Sequence, residues 1–293
     1  MRLVSMLPSA TEIAYALGLG DQVVGVTFEC DEPASARIEK TVVVGGRDTT
    51  GMTPQEIDRY VRDRLAAGED LYTLDGGALA ALAPDVILTQ DLCRVCALPS
   101  GQVEEALSYL GCQADVVSLD PHSLADVLDT ILLVGSRTGT ADRAQQLVTD
   151  LQARLDAVSI AVAGLPRPRV AVIEWVDPLF TAGHWVPDLV TAAGGEPVSG
   201  RPGQMSVTAT WDSVAACTPD LVVVAPCGYH LDGAIAQARA VAEKLPGIPI
   251  WAIDADGLVV RPGPRLVDGV EALAAILHPG AVAAVPGRAE RVI

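Results

Sequence analysis

The sequence has 293 residues, 37 acidic against 20 basic, a formal net charge of -17, and half of its residues are hydrophobic. Such acidity repels phosphate backbones and anionic lipid, which argues against nucleic acid or a membrane surface as partner, and no apolar run approaches the length of a bilayer span. The length exceeds what one core usually serves, so two lobes are expected.

The opening, Met1 to Pro8, reads as a strand running into a turn, without an apolar h-region, a cleavage site or a lipid-attachment cysteine. On that ground the chain is expected in the cytoplasm, or in the periplasm or anchored at the surface if the start is truncated. The six cysteines then read as thiols or metal ligands rather than as a disulfide framework.

Along the chain, short β-branched runs alternate with helical stretches. Leu3–Ser5 is a strand, and Ser9–Leu17 a helix that Ser9 caps with Glu12 three residues on. Val23–Val26 is the next strand, and Thr53–Ala67 a helix with Pro54 in its first turn. Val86–Thr89 and Asp115–Ser118 are buried strands separated by a helix over Gln102–Leu110. This alternation predicts a parallel sheet covered by helices. Ser123–Val162 has no proline and apolar residues at helical spacing, which predicts one long helix, a strut between lobes, with Gly135 and Gly139 as the positions where it would kink.

A second half follows: strands at Arg169–Ile173, Leu221–Val224, Ile250–Ile253 and Leu258–Val260, and helices at Val186–Ala193, Leu231–Lys244 and Arg265–Leu277. After Pro279 a frayed tail is expected. The halves echo each other: Ala83-Pro84-Asp85-Val86-Ile87-Leu88 corresponds to Thr218-Pro219-Asp220-Leu221-Val222-Val223, and a cysteine follows at nearly the same distance, Cys93 and Cys227. The expected architecture is two Rossmann-like α/β lobes, residues 1–121 and 164–278, joined by a bridging helix over 122–163 and followed by a tail over 279–293. Ligands of open α/β sheets gather beyond the carboxyl ends of strands, which predicts a cleft between the lobes.

The opening Val4-Ser5-Met6-Leu7-Pro8-Ser9-Ala10-Thr11-Glu12, then Ala16-Leu17-Gly18-Leu19-Gly20 and Val24-Gly25-Val26, resembles the start of the class III solute-binding proteins. The Pro84-Asp85 strand, the strut helix and Arg261-Pro262-Gly263-Pro264-Arg265 resemble the vitamin B12-binding branch, related to iron-siderophore and haem binders. The likeness covers roughly residues 1 to 278. It implies two α/β lobes with little hinge motion, a cobalamin or other metal chelate as ligand, and an ABC permease as partner if the protein is exported.

Ligand contacts are expected from Pro8, Ser9, Glu29, Trp175, His184, Trp185, Tyr229 and His230. Trp175 and Trp185 suit a flat macrocycle, and His184 an axial metal bond or a hydrogen bond. The competing reading has Trp185 stapling a helix that His184 caps. Cys30, Cys93, Cys96 and Cys227 sit on expected cleft loops, with a C-x-x-C at 93–96, a spacing that grips zinc or an iron–sulfur cluster. Their alternative reading is small, half-buried hydrophobes or a redox dithiol, and Cys112 and Cys217 fit core positions. Two functions follow: a chelate-binding protein, more a binder than an enzyme, or a cytoplasmic metalloprotein holding its metal through four cysteines. No catalytic constellation stands out.

Overall fold

The computed structural model describes residues 1–49, 51–92 and 99–293. The chain divides into two compact units: Met1–Asp120 with Leu128–Val148, and Pro121–Val127 with Thr149–Ile293. Each has its own sheet.

The first unit holds β1 (Leu3–Ser5), α1 (Pro8–Ala16), β2 (Val23–Thr27), α2 (Ala36–Glu39), β3 (Thr41–Gly46), α3 (Pro54–Ala66), β4 (Tyr72–Leu74), α4 (Gly76–Leu82), β5 (Val86–Thr89), α5 (Ser100–Leu110) and β6 (Asp115–Ser118). The sheet order is β4-β3-β2-β1-β5-β6, parallel except for the antiparallel β3–β4 pair. Every residue of β1 and β5 is buried, because the central strands of a parallel sheet are covered on both faces. That is why these strands read as short unbroken runs without alternation. The opposite case is α3, which has no buried residue. Its start rests on local chemistry: the Glu56 N–H donates to Thr53 Oγ1 at 3.3 Å, and the Thr53 N–H donates to Glu56 Oε2 at 2.8 Å.

The capping box expected at Ser9 does not form. The helix starts one residue earlier with Leu7 as N-cap, and Ser9 lies buried inside α1. Pro8, with no N–H to lose, occupies the first helical position. The segment 122–163, expected as one helix, carries two: α6 (Leu124–Arg137) and α7 (Ala141–Val162). Between them the Thr138 hydroxyl donates to the Val134 carbonyl at 2.7 Å, and Gly139 turns left-handed at φ +69°. An apolar pattern at helical spacing continues across such a break, so periodicity alone did not reveal it.

The second unit continues with β7 (Arg169–Val176), β8 (Leu179–Thr181), α8 (Val186–Ala192), β9 (Glu196–Pro197), β10 (Val207–Thr208), α9 (Trp211–Ala216), β11 (Leu221–Val224), α10 (Leu231–Lys244), β12 (Ile250–Ile253), α11 (Ala255–Leu258), α12 (Leu266–Leu277) and β13 (Ala289–Arg291). The order is β10-β8-β7-β11-β12-β13, with β9 beside β7. β11 runs parallel to both β7 and β12, while β8, β10 and β13 add antiparallel pairs. Two expectations are corrected here. Leu258–Val260 is not a strand: Asp254 accepts the Gly257 N–H at 3.2 Å and starts the short α11 instead. The tail is not frayed either, since β13 pairs with β12 from Trp251↔Arg291 to Ile253↔Ala289.

The echo between the halves extends to atomic detail. The Arg2 N–H donates to Asp85 Oδ2 at 2.6 Å, and the Asp85 N–H returns to the Arg2 carbonyl at 2.8 Å. In the second unit the Arg169 N–H donates to Asp220 Oδ2 at 2.7 Å, and the Asp220 N–H returns to the Arg169 carbonyl at 2.8 Å. Ala83 and Thr218, each just before its proline, are both left-handed, at φ +42° and +47°. Each Pro-Asp turn thus clips the entry of one strand to the entry of its parallel neighbour, where the ladder would otherwise leave backbone groups unpaired.

Candidate functional site

In the second unit, the carboxyl ends of β7, β11 and β12 gather a cluster of aromatic and titratable side chains. Trp175, near the end of β7, is half-buried; its indole N–H donates to the Asp177 carbonyl at 3.1 Å. The Tyr229 ring, on the loop after β11, lies 5.9 Å from it, centroid to centroid, tilted by 54°. Burial pushes the Tyr229 phenol up, so it is a neutral hydrogen-bond donor at physiological pH. A tilted aromatic pair at strand ends presents flat apolar area with a polar edge, which suits a planar ligand.

His184 sits beside this pair in sequence but is held otherwise. Its backbone is left-handed at φ +49°, and the strand-like bonds His184 N–H to Gln204 carbonyl (2.6 Å) and Gly203 N–H to His184 carbonyl (3.0 Å) fix it there. The loop is tightened further at Gly200, φ +76°, where an added Cβ would stand 1.8 Å from the Ala182 carbonyl oxygen. The His184 ring lies 5.6 Å from Trp185 and 6.2 Å from His122, and its Nε2 is buried without a hydrogen-bond partner. Burial first, then the neighbouring His122, pushes its pKa down, so the ring is neutral. Trp185 is only 6% exposed, and its indole N–H donates to the Val259 carbonyl at 2.8 Å. It therefore packs the core and staples the loop, as the competing reading of the sequence has it. His184 N-caps nothing, since Trp185 holds that position in α8.

Glu174 precedes Trp175 in β7. Burial pushes its carboxyl up, while the Ser206 hydroxyl and the Gly183 N–H, both donating, pull it partly back. His230, exposed, begins α10, and its Nδ1 lies 2.9 Å from Asp254 Oδ1. Asp254 and Asp256 carry the rest of the network: Arg288 Nη1 donates to Asp254 Oδ2 at 3.2 Å, the Gly228 N–H to Asp256 Oδ1 at 2.9 Å, and Arg261 Nη2 to Asp256 Oδ2 at 2.9 Å. These two aspartates escaped the sequence reading. The available signal was a pair of acids placed directly after a buried apolar strand, in Ile253-Asp254-Ala255-Asp256.

The first unit is quieter at its strand ends. Pro8 and Ser9 open α1, and Glu29 follows β2, half-buried, with the Tyr72 hydroxyl donating to its Oε1 at 3.5 Å. Cys30 is fully buried, with Sγ 3.0 Å from Thr11 Oγ1. Thr11 donates onward to Ser5 at 2.8 Å, and Ser5 to the Leu7 carbonyl at 2.9 Å. The contact with Thr11 ties Cys30 into the core of the first unit.

The iron–sulfur or zinc reading of the cysteines finds no support. Among the described residues no group of three or more His, Cys, Asp or Glu side chains could hold a metal ion. Cys93 and Cys96 lie outside the described residues. Cys227 is exposed, and its N–H donates to the Glu174 carbonyl at 3.2 Å. Cys112 packs against the first unit's core, and Cys217 ends α9 with its Sγ 3.3 Å from the Ser213 carbonyl, so both take structural positions.

The family model described as periplasmic binding protein matches residues 3–253. The chain belongs to that family, in its class III group. It is 26% identical to an uncharacterized ABC transporter substrate-binding lipoprotein of Bacillus subtilis, over 95% of this chain and 80% of that protein. It is 25% identical to a vitamin B12-binding protein of Vibrio cholerae, over 92% of this chain and 86% of the relative. A periplasmic haem-binding protein of Pseudomonas aeruginosa superposes with a TM-score of 0.70 at 22% identity, covering 99% of this chain and 97% of its own. The α/β two-lobed fold is therefore that of the class III binding proteins. The cytoplasmic expectation, drawn from the first residues alone, is overturned: relatives spanning nearly the whole chain are periplasmic proteins or lipoproteins.

Proposed function

We propose that this protein is the substrate-binding component of an ABC importer, working outside the cytoplasm, and that it binds a metal chelate of the cobalamin or haem type. Family membership supports the transport role. The choice of a planar macrocycle rests on one observation: the half-buried Trp175–Tyr229 pair at the ends of β7 and β11. Two tilted rings offer apolar contact and a phenol edge to a flat, partly polar ligand, a combination that a small hydrophilic solute does not need. The second unit supplies the chemistry in this reading, with Trp175 and Tyr229 as the contacts.

The test is tryptophan-fluorescence titration of the purified protein with cyanocobalamin, ferric haem and a ferric hydroxamate siderophore. One of the two macrocycles is expected to bind in the micromolar range or tighter. Trp175→Ala is expected to weaken it about tenfold, from the loss of one stacking contact, while leaving the unfolding midpoint within about 1 kcal/mol of the parent. Saturable binding of the siderophore alone would shift the reading to another chelate class. Absence of binding to all three would reject it.

A further inference from the structure

The loop that carries Tyr229 rests on an acidic turn, and that turn is held by the end of the chain. Asp256 Oδ1 accepts the Gly228 N–H at 2.9 Å, and the Asp256 N–H donates to the Tyr229 carbonyl at 3.2 Å. Asp254 Oδ1 lies 2.9 Å from His230 Nδ1 and accepts the Gly257 N–H at 3.2 Å, the bond that starts α11. Three consecutive residues, Gly228, Tyr229 and His230, thus lean on Asp254 and Asp256. Arg288 grips the same Asp254 twice: the Asp254 N–H donates to the Arg288 carbonyl at 2.9 Å, and Arg288 Nη1 donates to Asp254 Oδ2 at 3.2 Å. The Asp254 side chain is only 10% exposed, so water hydrates its charge poorly and a guanidinium beside it counts for more than one at the open surface.

Arg288 stands where the chain returns to the sheet after α12. Gly287 turns left-handed at φ +76°, and β13 then runs antiparallel to β12, from Ala289 opposite Ile253 to Arg291 opposite Trp251. A strand that only covered the sheet edge would need its backbone pairing and nothing more. Arg291 supplies that comparison, since it lies in the same strand and its Nε donates to the Ile293 carbonyl at 2.8 Å. Arg288 instead reaches the acid that supports the aromatic loop.

We infer that the C-terminal strand is a strap behind the strand ends of the second unit, and that Arg288 is a positioning residue for the ligand, acting through Asp254 to hold Tyr229 where it meets Trp175. The ligand here is the chelate of the reading above, on which this inference rests; the strap itself is a property of the fold. The Tyr229 and Trp175 rings stand 5.9 Å apart before any ligand arrives. A loop that must be ordered on binding costs affinity, so a contact residue serves only as far as its support fixes it.

The experiment compares the parent with Arg288→Ala, Arg288→Lys and Arg291→Ala in two readouts. The first is amide hydrogen exchange at Gly228 and Gly257 without ligand, followed by NMR. The second is the Kd for ferric haem and for cyanocobalamin. Arg288→Ala is expected to speed exchange at both amides by about fivefold or more, and to raise the Kd of the macrocycle that binds by about fivefold. Arg288→Lys keeps a cation for the contact with Asp254 Oδ2 and is expected to recover most of the affinity. Arg291→Ala is expected to match the parent in both readouts. Because the Arg288 side chain is 40% exposed, the thermal midpoint of Arg288→Ala is expected to move by no more than about 3 °C. Parent-like exchange at both amides in Arg288→Ala overturns the inference. So does faster exchange with an unchanged Kd, which would leave Arg288 a purely structural residue, and so does an equal loss of affinity in Arg291→Ala. A parent that binds neither macrocycle brings down the chelate reading instead, and the two amides then decide the strap alone.

Discussion

The two units share a sheet plan and a strand-entry clip, yet they use their strand ends differently. In the first unit, polar groups behind β1 and β2 are spent on each other: Cys30, Thr11, Ser5 and the Leu7 carbonyl form one buried donor chain. In the second, the ends of β7, β11 and β12 leave two rings half-open and one imidazole exposed, with the aspartates spent on holding them. A duplicated scaffold therefore fixes where loops emerge, while loop composition decides whether they stabilise the fold or meet a ligand.

The largest effect that would sharpen this contrast lies in the loop that carries His184. Gly200→Ala forces a Cβ to within 1.8 Å of the Ala182 carbonyl oxygen in a left-handed residue. A loss of about 3 kcal/mol is expected, together with loss of chelate binding, read by urea denaturation and titration. In contrast, Gly203→Ala, also left-handed at φ +70° but with nothing within 4 Å, is expected to cost about 1 kcal/mol. Equal losses at the two positions would show that conformation alone, not the close approach, governs the loop.

The first unit's donor chain is expected to respond in stability only. Thr11→Val keeps the shape but removes the hydroxyl that links Ser5 to Cys30, while Ser5 keeps its bond to the Leu7 carbonyl, at a cost of about 1 kcal/mol. Chelate affinity is expected to stay within twofold of the parent. A large loss of affinity with little loss of stability would erase the division of labour drawn here.

The clips offer a paired test of similar size. Asp85→Ala and Asp220→Ala each remove the acceptor of one backbone N–H at an equivalent strand entry. Each is expected to cost about 1 kcal/mol, and the two to agree within about half of that. Markedly unequal costs would mean that the repeat is geometric but not energetic.

The smallest effects are in the pH profile. The Glu174 carboxyl titrates higher folded than unfolded, so the folded state binds the proton more readily, and stability falls as pH rises from the ordinary carboxylate range through the raised folded value. His184 titrates lower folded than unfolded, so its contribution is complete above the ordinary histidine range and declines as pH falls below about 6.5. Glu174→Gln is expected to flatten the first slope and leave the second, measured by denaturation across pH 4 to 8. An unchanged profile would mean that the carboxyl is solvated.

Much of this was legible in the sequence because buried parallel strands advertise themselves. Val86–Thr89 and Leu221–Val224 are buried throughout, as their composition predicts, whereas Asp115–Ser118 has the predicted bounds but is an edge strand with only Val117 buried, not the buried strand expected. Elements governed by one hydrogen bond were not legible. Asp254 turns an apolar stretch into α11, and Leu7 rather than Ser9 is the N-cap of α1, with Pro8 in its first turn. At the site, Trp175 and Tyr229 were visible as aromatic residues following strands. The separation of the half-open Trp175 from the buried Trp185 was not, since it depends on the Val259 carbonyl, 74 residues away. The C-x-x-C and the loop positions of the cysteines suggested a metal, and neither says that a sulfur such as Cys30 is fully buried beside Thr11.

The central claim is that the open rings of the second unit, not the sealed chain of the first, bind a planar chelate. The most direct measurement is titration of parent, Trp175→Ala and Thr11→Val with ferric haem and cyanocobalamin under one set of conditions. The account predicts saturable binding by the parent, a loss of about tenfold for Trp175→Ala and none for Thr11→Val. Binding that survives Trp175→Ala unchanged, or that fails only in Thr11→Val, would contradict it.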